Sequence, residues 1–340
     1  MARQFEFHGG NAQAALESAR RAVALAPADD AERQARAHCQ ASYALGRLGR
    51  YDDAQPAFEA ALRLAQAAGQ AGLEASIVNH QGMLEQGRGD VLAACAHFNR
   101  ALAIHRREGH LVNIGGTLAN LAFTAMSVGD FEQAKTQFEE ARELSERVGQ
   151  QRNVGIIDIN LGLVLLHLAQ PEAALVRAEH ALEPLRATGD RWAEAAALRV
   201  AGQAELALGR HAAARPHFVA SRDLFDTLKM GHLAMEAIAA MAEEALSRGD
   251  VGEALVHAQD IMARREQGAS IEGADEPMRI PLAVWRALNA AGDARADTVL
   301  ADAQRELQAR ADRLLDPVQR QRFLTAVAQH REIMAARARA

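Results

Sequence analysis

Small and bulky apolar residues return along this chain at fixed places in a forty-residue frame, with polar residues between them. The frame opens on a glycine or its stand-in: Gly10, Gly49, Gly89, Gly129, Ala169, Gly209 and Gly249. Five residues later stands an alanine in every case: Ala15, Ala54, Ala94, Ala134, Ala174, Ala214 and Ala254. Nine residues later comes Ala19, Phe58, Phe98, Phe138, Ala178, Phe218 or Ala258, and twelve later a small residue, from which only Ile261 departs. Offsets of 5, 9 and 12 share one face of a helix, so an amphipathic helix follows each glycine. Seven residues before the glycine another small residue recurs: Ser42, Gly82, Ala122, Gly162, Gly202 and Ala242. Glycine inside a helix costs about 1 kcal/mol relative to alanine, so its return at one place marks a close approach of two helices. The glycine that opens the frame then acts as a left-handed C-cap. The predicted unit is helix A, a tight glycine turn and helix B.

The register fixes the organisation. Residues 1–266 form the repeat array, whose first unit has only its helix B (11–26), closed by Pro27. The eight or nine residues before Gly10 are too few for a helix A. A solenoid end that lacks its partner helix exposes an apolar face, so the chain is expected to have been cut from, or to have evolved within, something longer, the alternative being a short N-terminus capped in another way. Beyond Gly249 the interval to Gly292 lengthens to 43, and 267–279, with "QGASIEGADEP", reads as a polar loop. Residues 280–340 give a degenerate last pair (280–291 and 293–314) and a closing amphipathic capping helix with Val318, Phe323, Leu324, Val327, Ile333 and Met334 apolar.

Composition agrees with an all-α chain. Apolar residues make up 49%, aromatics only 4%, and eight prolines occur in 340 residues. Alanine and leucine carry the apolar content, as in closely packed helices. The net charge is −6 and the basic residues are almost all arginine, with lysine only at Lys135 and Lys229. There is no basic stripe, which argues against nucleic-acid binding, and no apolar run of membrane-spanning length. The start, "MARQFEFHGG", lacks a signal-peptide core. Cys39 and Cys95 sit in helical patterns and read as small buried residues in a reducing compartment. A cytoplasmic location is expected.

The pattern resembles the tetratricopeptide repeat: a small residue, then Gly-Asp-Tyr/Phe, then Ala, an aromatic and Ala at those offsets, over residues 10–265. It departs from the usual 34-residue unit. The extra six residues read as longer helices and a longer B-to-A link, as in "RELSERVGQQRNVGIIDINLG", which is similar to the long-repeat branch that includes kinesin light chain, the Pins-type polarity adaptors and bacterial pheromone receptors. The resemblance implies a right-handed superhelix with A helices on its concave face. The C-terminal stretch is similar to the tail of bacterial signalling proteins in which an ATPase or nucleotide-cyclase domain precedes such an array. The residues that carry this are Asp316-Pro317, Arg320 or Arg322, Phe323-Leu324 and Arg331.

If A helices line a groove, the residues nine, six and two before the glycine face it. With their neighbours they give Tyr43, Asn79, Met83, Asn120, Phe123, Met126, Asn160, Leu163, Leu166, His167, Arg199 and Gln203 as candidate peptide-binding residues. Asn120 and Asn160 hold the same place in consecutive repeats. Each amide offers a donor and an acceptor, which suits pairing with the main chain of an extended peptide. The alternative is that each binds a neighbouring helix backbone. Phe123, Met126, Leu163 and Leu166 would form an apolar floor. The arginines Arg36, Arg47 and Arg199 are too scattered for a carboxylate clamp.

Motifs for catalysis are missing. No lysine follows a Gly-rich run, and no His-Glu-x-x-His, Cys-x-x-Cys or Gly-x-Ser-x-Gly occurs. "NIGGT" (113–117) falls in register as the start of a helix A. His105 and His110 read as a solvated helix end, and the pairs Glu139–Glu140 and Glu243–Glu244 as solvated surface. The expectation is a protein- or peptide-binding scaffold with no cofactor, metal or catalysis of its own. The alternative is the regulatory arm of a larger bacterial signalling protein, its groove filled intramolecularly or by an output domain.

Overall fold

The structure is a computed structural model that describes residues 12–27 and 29–337. Among the described residues there are seventeen helices and no strand. The first is a helix B, α1 (Ala12–Leu25). Six A–B pairs follow: α2 (Ala31–Arg47) and α3 (Tyr51–Ala67), α4 (Ala71–Arg88) and α5 (Val91–Glu108), α6 (Leu111–Ser127) and α7 (Phe131–Arg147). The next three are α8 (Gln151–His167) and α9 (Pro171–Ala187), α10 (Arg191–Ala207) and α11 (His211–Thr227), α12 (Gly231–Ser247) and α13 (Val251–Glu266). After a non-helical segment come α14 (Arg279–Ala291), α15 (Arg295–Asp312), α16 (Pro317–Ala326) and α17 (Ala328–Ala335). The chain is an α-solenoid of helix pairs. Gly10 and the residues before it lie outside the described residues.

Left-handed residues close the helices every twenty residues, not every forty. Positions 49, 89, 129, 169, 209 and 249 have positive φ, as the C-cap reading requires, and so do 69, 109, 149, 189 and 229. The B-to-A link is therefore no longer than the A-to-B turn, which corrects the expectation of a longer link. The extra residues lie wholly in the helices. Gly89 shows why Gly-Asp recurs. Its φ of 85° lets its own N–H and that of Asp90 bond the Gln86 and Glu85 carbonyls. The Asp90 carboxylate then accepts from Ala93 N at 2.9 Å and caps α5. Ala169 (φ 55°) and Lys229 (φ 58°) take the same conformation with a Cβ, at a steric cost glycine avoids.

The chain forms two compact units, the first comprising 1–127, 136–149 and 313–317 and the second 128–135, 150–312 and 318–340. In the first, Phe58, Ala54, Ala61 and Ala65 of α3 bury against Cys39, Ala41 and Leu45 of α2 and Ile77 of α4. The repeated small position works as a slot for the B-helix ring. A Cβ on Gly82 would stand 2.7 Å from the Phe98 ring. In the second unit Gly202 meets Phe218 in the same way, at 2.6 Å. Gly162 differs, because its B-helix partner position is Ala178. Its neighbour is Val200 on the following A helix, with Cγ1 at 2.6 Å. The tightest approach there is A to A, with the Ala174 carbonyl of the paired B helix next at 3.5 Å.

The last stretch is two helices, not the single closing helix expected. The chain breaks at Val327, which is extended (φ −79°, ψ 122°). The break lets His330 Nδ1 reach the Phe323 carbonyl at 2.8 Å, while Arg331 donates to the Thr325 and Ala326 carbonyls. These bonds satisfy the open end of α16. Ile333, Phe323 and Leu324 pack on Leu282, Ala303 and Leu307. Val318 and Met334, read as part of the apolar stripe, are exposed. Arg322 pairs with Asp130 in the turn before α7.

Candidate functional site

In the first unit the candidate residues come from α2, α4 and α6. Tyr43 is half-buried, and its ring meets His80 edge to face with centroids 5.4 Å apart. Burial raises the Tyr43 hydroxyl pKa, against an opposing effect of Arg47. His80 Nδ1 lies 2.7 Å from the Ser76 carbonyl and 3.7 Å from Cys39 Sγ. Cys39 is buried and free, its thiol pushed up to about 12 by burial, so it stays protonated and unreactive. Asn120 is 6% exposed and donates through Nδ2 to Asn79 Oδ1 at 3.1 Å. The two amides therefore join neighbouring A helices. Met83, Phe123 and Met126 are half-buried beside them.

The second unit treats its candidates differently. Asn160 is half-buried and donates to the Ile156 carbonyl of its own helix at 3.1 Å. Leu163 is buried in the core at 3% exposure, whereas Leu166 and His167 are half-buried. The His167 ring stacks flat on Phe131, with centroids 4.2 Å apart. Arg199 is wholly buried and Gln203 nearly so.

What gathers these side chains is the segment between α13 and α14, read from sequence only as a polar loop. Its Asp275 accepts from Arg199, and Arg199 Nε stands 3.6 Å from Glu236. Glu276 accepts from Gln203 at 3.3 Å, Gln329 at 3.0 Å and Arg279 at 3.0 Å, and lies 3.3 Å from His167 Nε2. Its backbone N–H donates to Glu236. Glu243 pairs with Arg279 and Arg286, and Arg286 also with Glu332.

The electrostatics follow from burial. Burial pushes the Glu236 carboxyl up to about 7; Arg199 opposes this, and the Asp275 and Glu276 carboxylates add to it. Burial also works against ionised Glu276, but Arg279, His167 and Arg199 outweigh it and hold that carboxyl well below the usual range. Burial disfavours the charge on Arg199 too, and Glu236, Asp275 and Glu276 overcome it, so its pKa is raised. His330, 8% exposed, is pushed down to about 4, chiefly by burial.

Three sequence readings need correction. Glu243 and Glu244 are not solvated surface: Glu244 is 3% exposed and paired with Arg248, and Glu243 is half-buried and paired with Arg279. His105 is not a solvated helix end but 2% exposed, its pKa lowered by burial. Asp275 and Glu276 were missed as site residues. The signal available was two adjacent acids, in a segment whose flanking Ile271 and Met278 are apolar enough to anchor it.

Comparisons with known proteins agree with the repeat. Two tetratricopeptide-repeat family models match, over residues 113–187 and 35–67. No curated protein matches the sequence. Among solved structures, a Rap protein complexed with competence and sporulation factor is similar at a TM-score of 0.60 and 17% identity, covering 94% of this chain and 93% of that one. Aspartyl phosphate phosphatase F from Bacillus subtilis gives 0.63 at 13% identity, covering 81% and 71%. A signal-transduction ATPase with a tetratricopeptide-repeat sensor from Pyrococcus horikoshii gives 0.56 at 15% identity, covering 89% of this chain and 48% of that one. These identities speak for the fold alone. No helix of the described residues is long and apolar enough to cross a membrane. Residues 35–67 and 113–187 thus match tetratricopeptide repeats, and the small-residue slots and glycine turns carry the same helix-pair pattern along the described residues.

Proposed function

We propose that this chain is a non-catalytic scaffold that binds an extended protein or peptide segment on the A-helix face of its first unit. The observation that carries the reading is the Asn120–Asn79 amide pair, set among half-buried Tyr43, Met83, Phe123 and Met126. Each amide keeps hydrogen-bonding capacity beyond the bond it makes, since an asparagine offers two donors and an acceptor with two lone pairs. Amides that bind a peptide main chain beside an apolar floor give affinity with little dependence on side chains. The Rap complex, on the same fold, supports a ligand-binding use. A second reading, the regulatory arm of a larger signalling protein, is favoured by one observation: the A-helix face of the second unit already holds a segment of the chain itself.

The test is selection of peptides from a random display library on the full chain, then calorimetric titration of the selected peptides. The Asn79→Ala/Phe123→Ala variant should stay folded and lose most of the binding. Peptides that bind this variant as tightly as the wild type would place recognition elsewhere.

A further inference from the structure

Residues 272–277 of the second unit, Glu-Gly-Ala-Asp-Glu-Pro, run between two buried anchors, Ile271 and Met278. The anchors belong to separate apolar clusters, Ile271 with Ile280 and Val284, Met278 with Leu282 and Leu307. Two consecutive acidic residues in the segment are read by six side chains from five helices. Arg199 takes Asp275; Gln203, His167, Arg279 and Gln329 converge on the Glu276 carboxylate; Glu236 takes the Glu276 backbone N–H. Matched carboxylates and one paired main-chain group are how a bound peptide is held.

The segment leaves part of this face unused. Arg199 Nε and Nη1, Gln203 Oε1, Glu236 Oε2 and Gln329 Oε1 are buried without a hydrogen-bond partner. Arg199 Nε and Glu236 Oε2 face each other at 3.6 Å, an ion pair beyond hydrogen-bond distance, so charge offsets part of their desolvation cost, while Arg199 Nη1, Gln203 Oε1 and Gln329 Oε1 lack a hydrogen bond. A guanidinium is best met by two carboxylate oxygens at once, and Asp275 meets one of its nitrogens.

We propose that this face, built from α8, α10 and α12, is a recognition site for acidic peptides with adjacent Asp and Glu, and that residues 272–277 are a resident ligand that keeps it closed. A peptide carboxylate that spans two Arg199 nitrogens satisfies groups the resident leaves unmet. Because the anchors pack in different clusters, the six residues between them can lift away while the helices stay in place. Binding in trans then scales with the fraction of molecules whose segment is out. The inference does not rest on the first unit's face.

The probe is a fluorescein-labelled Glu-Gly-Ala-Asp-Glu-Pro peptide, with anisotropy read on the full chain. The Asp275→Asn/Glu276→Gln variant weakens the resident and leaves the receiving side chains intact. It should bind the peptide about tenfold tighter than wild type. A peptide with Asn and Gln in place of the acids should not bind, and Arg199→Met in the same background should abolish the gain. A folded variant with no gain, or equal binding of the neutral peptide, overturns the proposal. If the variant fails to fold, wild type in excess acidic peptide is followed by hydrogen exchange. Faster exchange across 272–277 supports the proposal, and unchanged exchange there overturns it.

Discussion

Glu236→Gln tests the electrostatics of the second unit directly. The wild-type carboxyl is wholly buried and pushed from an ordinary 4.5 to about 7. The shift of about 2.5 units, at 1.36 kcal/mol each, makes ionised Glu236 cost about 3 kcal/mol at pH 8 relative to the unfolded chain. The sign follows from the raised value. Stability from the neutral form is fully present below about 4.5 and is lost as pH rises through about 7. Glutamine has the shape of the protonated acid, and its Oε1 can still accept the Glu276 N–H. The variant should match wild type within about 1 kcal/mol at pH 5 and exceed it by about 2–3 kcal/mol at pH 8. His330 works the other way, since its lowered pKa costs stability on acidification, but it is common to both proteins and cancels in the difference. Urea unfolding followed by helical circular dichroism measures the gap. Because repeat arrays can unfold in stages, hydrogen exchange in α10 and α12 localises it. A stability difference that stays flat from pH 5 to pH 8 would refute the reasoning.

Three further outcomes are expected. Gly162→Leu drives new atoms into Val200, which is wholly buried and stiff at χ1, and should cost about 1–3 kcal/mol; an unchanged melting temperature would contradict the A-to-A contact. Ala169→Gly and Lys229→Gly relieve left-handed residues and should each stabilise by about 0.5–1 kcal/mol, read as a rise in urea midpoint; a fall in midpoint for both would show that their turns are not strained. Asn120→Ala removes a bond between two helices and should cost about 1 kcal/mol, whereas Asn160→Ala removes one within its own helix and should cost under about 0.5 kcal/mol. Equal losses in chemical denaturation would mean the two amides play one role.

The helix pairs were legible because they rest on local rules. A left-handed turn selects glycine, a buried helix face repeats at offsets near 3.6, and a close approach requires a small side chain. Gly82 and Gly202 therefore announced their slots for Phe98 and Phe218. The second glycine series, Gly69, Gly109, Gly149 and Gly189, is equally present in the sequence. Lys229 interrupts this series, and Gly268 falls one residue short of its next step. With it, the two links of the repeat would have read as equal.

Residue roles on the A helices were less legible, for a physical reason. Asn120 and Asn160 occupy the same place in the frame yet bond different partners, because one meets Asn79 on a neighbouring helix and the other does not. The repeat frame places Arg199 on an A helix, but its carboxylate partner lies 76 residues further along the chain. The sequence by itself determined the period, the turns and the helix faces, since these depend on residues within one or two turns of each other. Only the tertiary structure decided which polar side chains are buried and what they hold, because that depends on where an aperiodic segment such as 272–277 comes to rest.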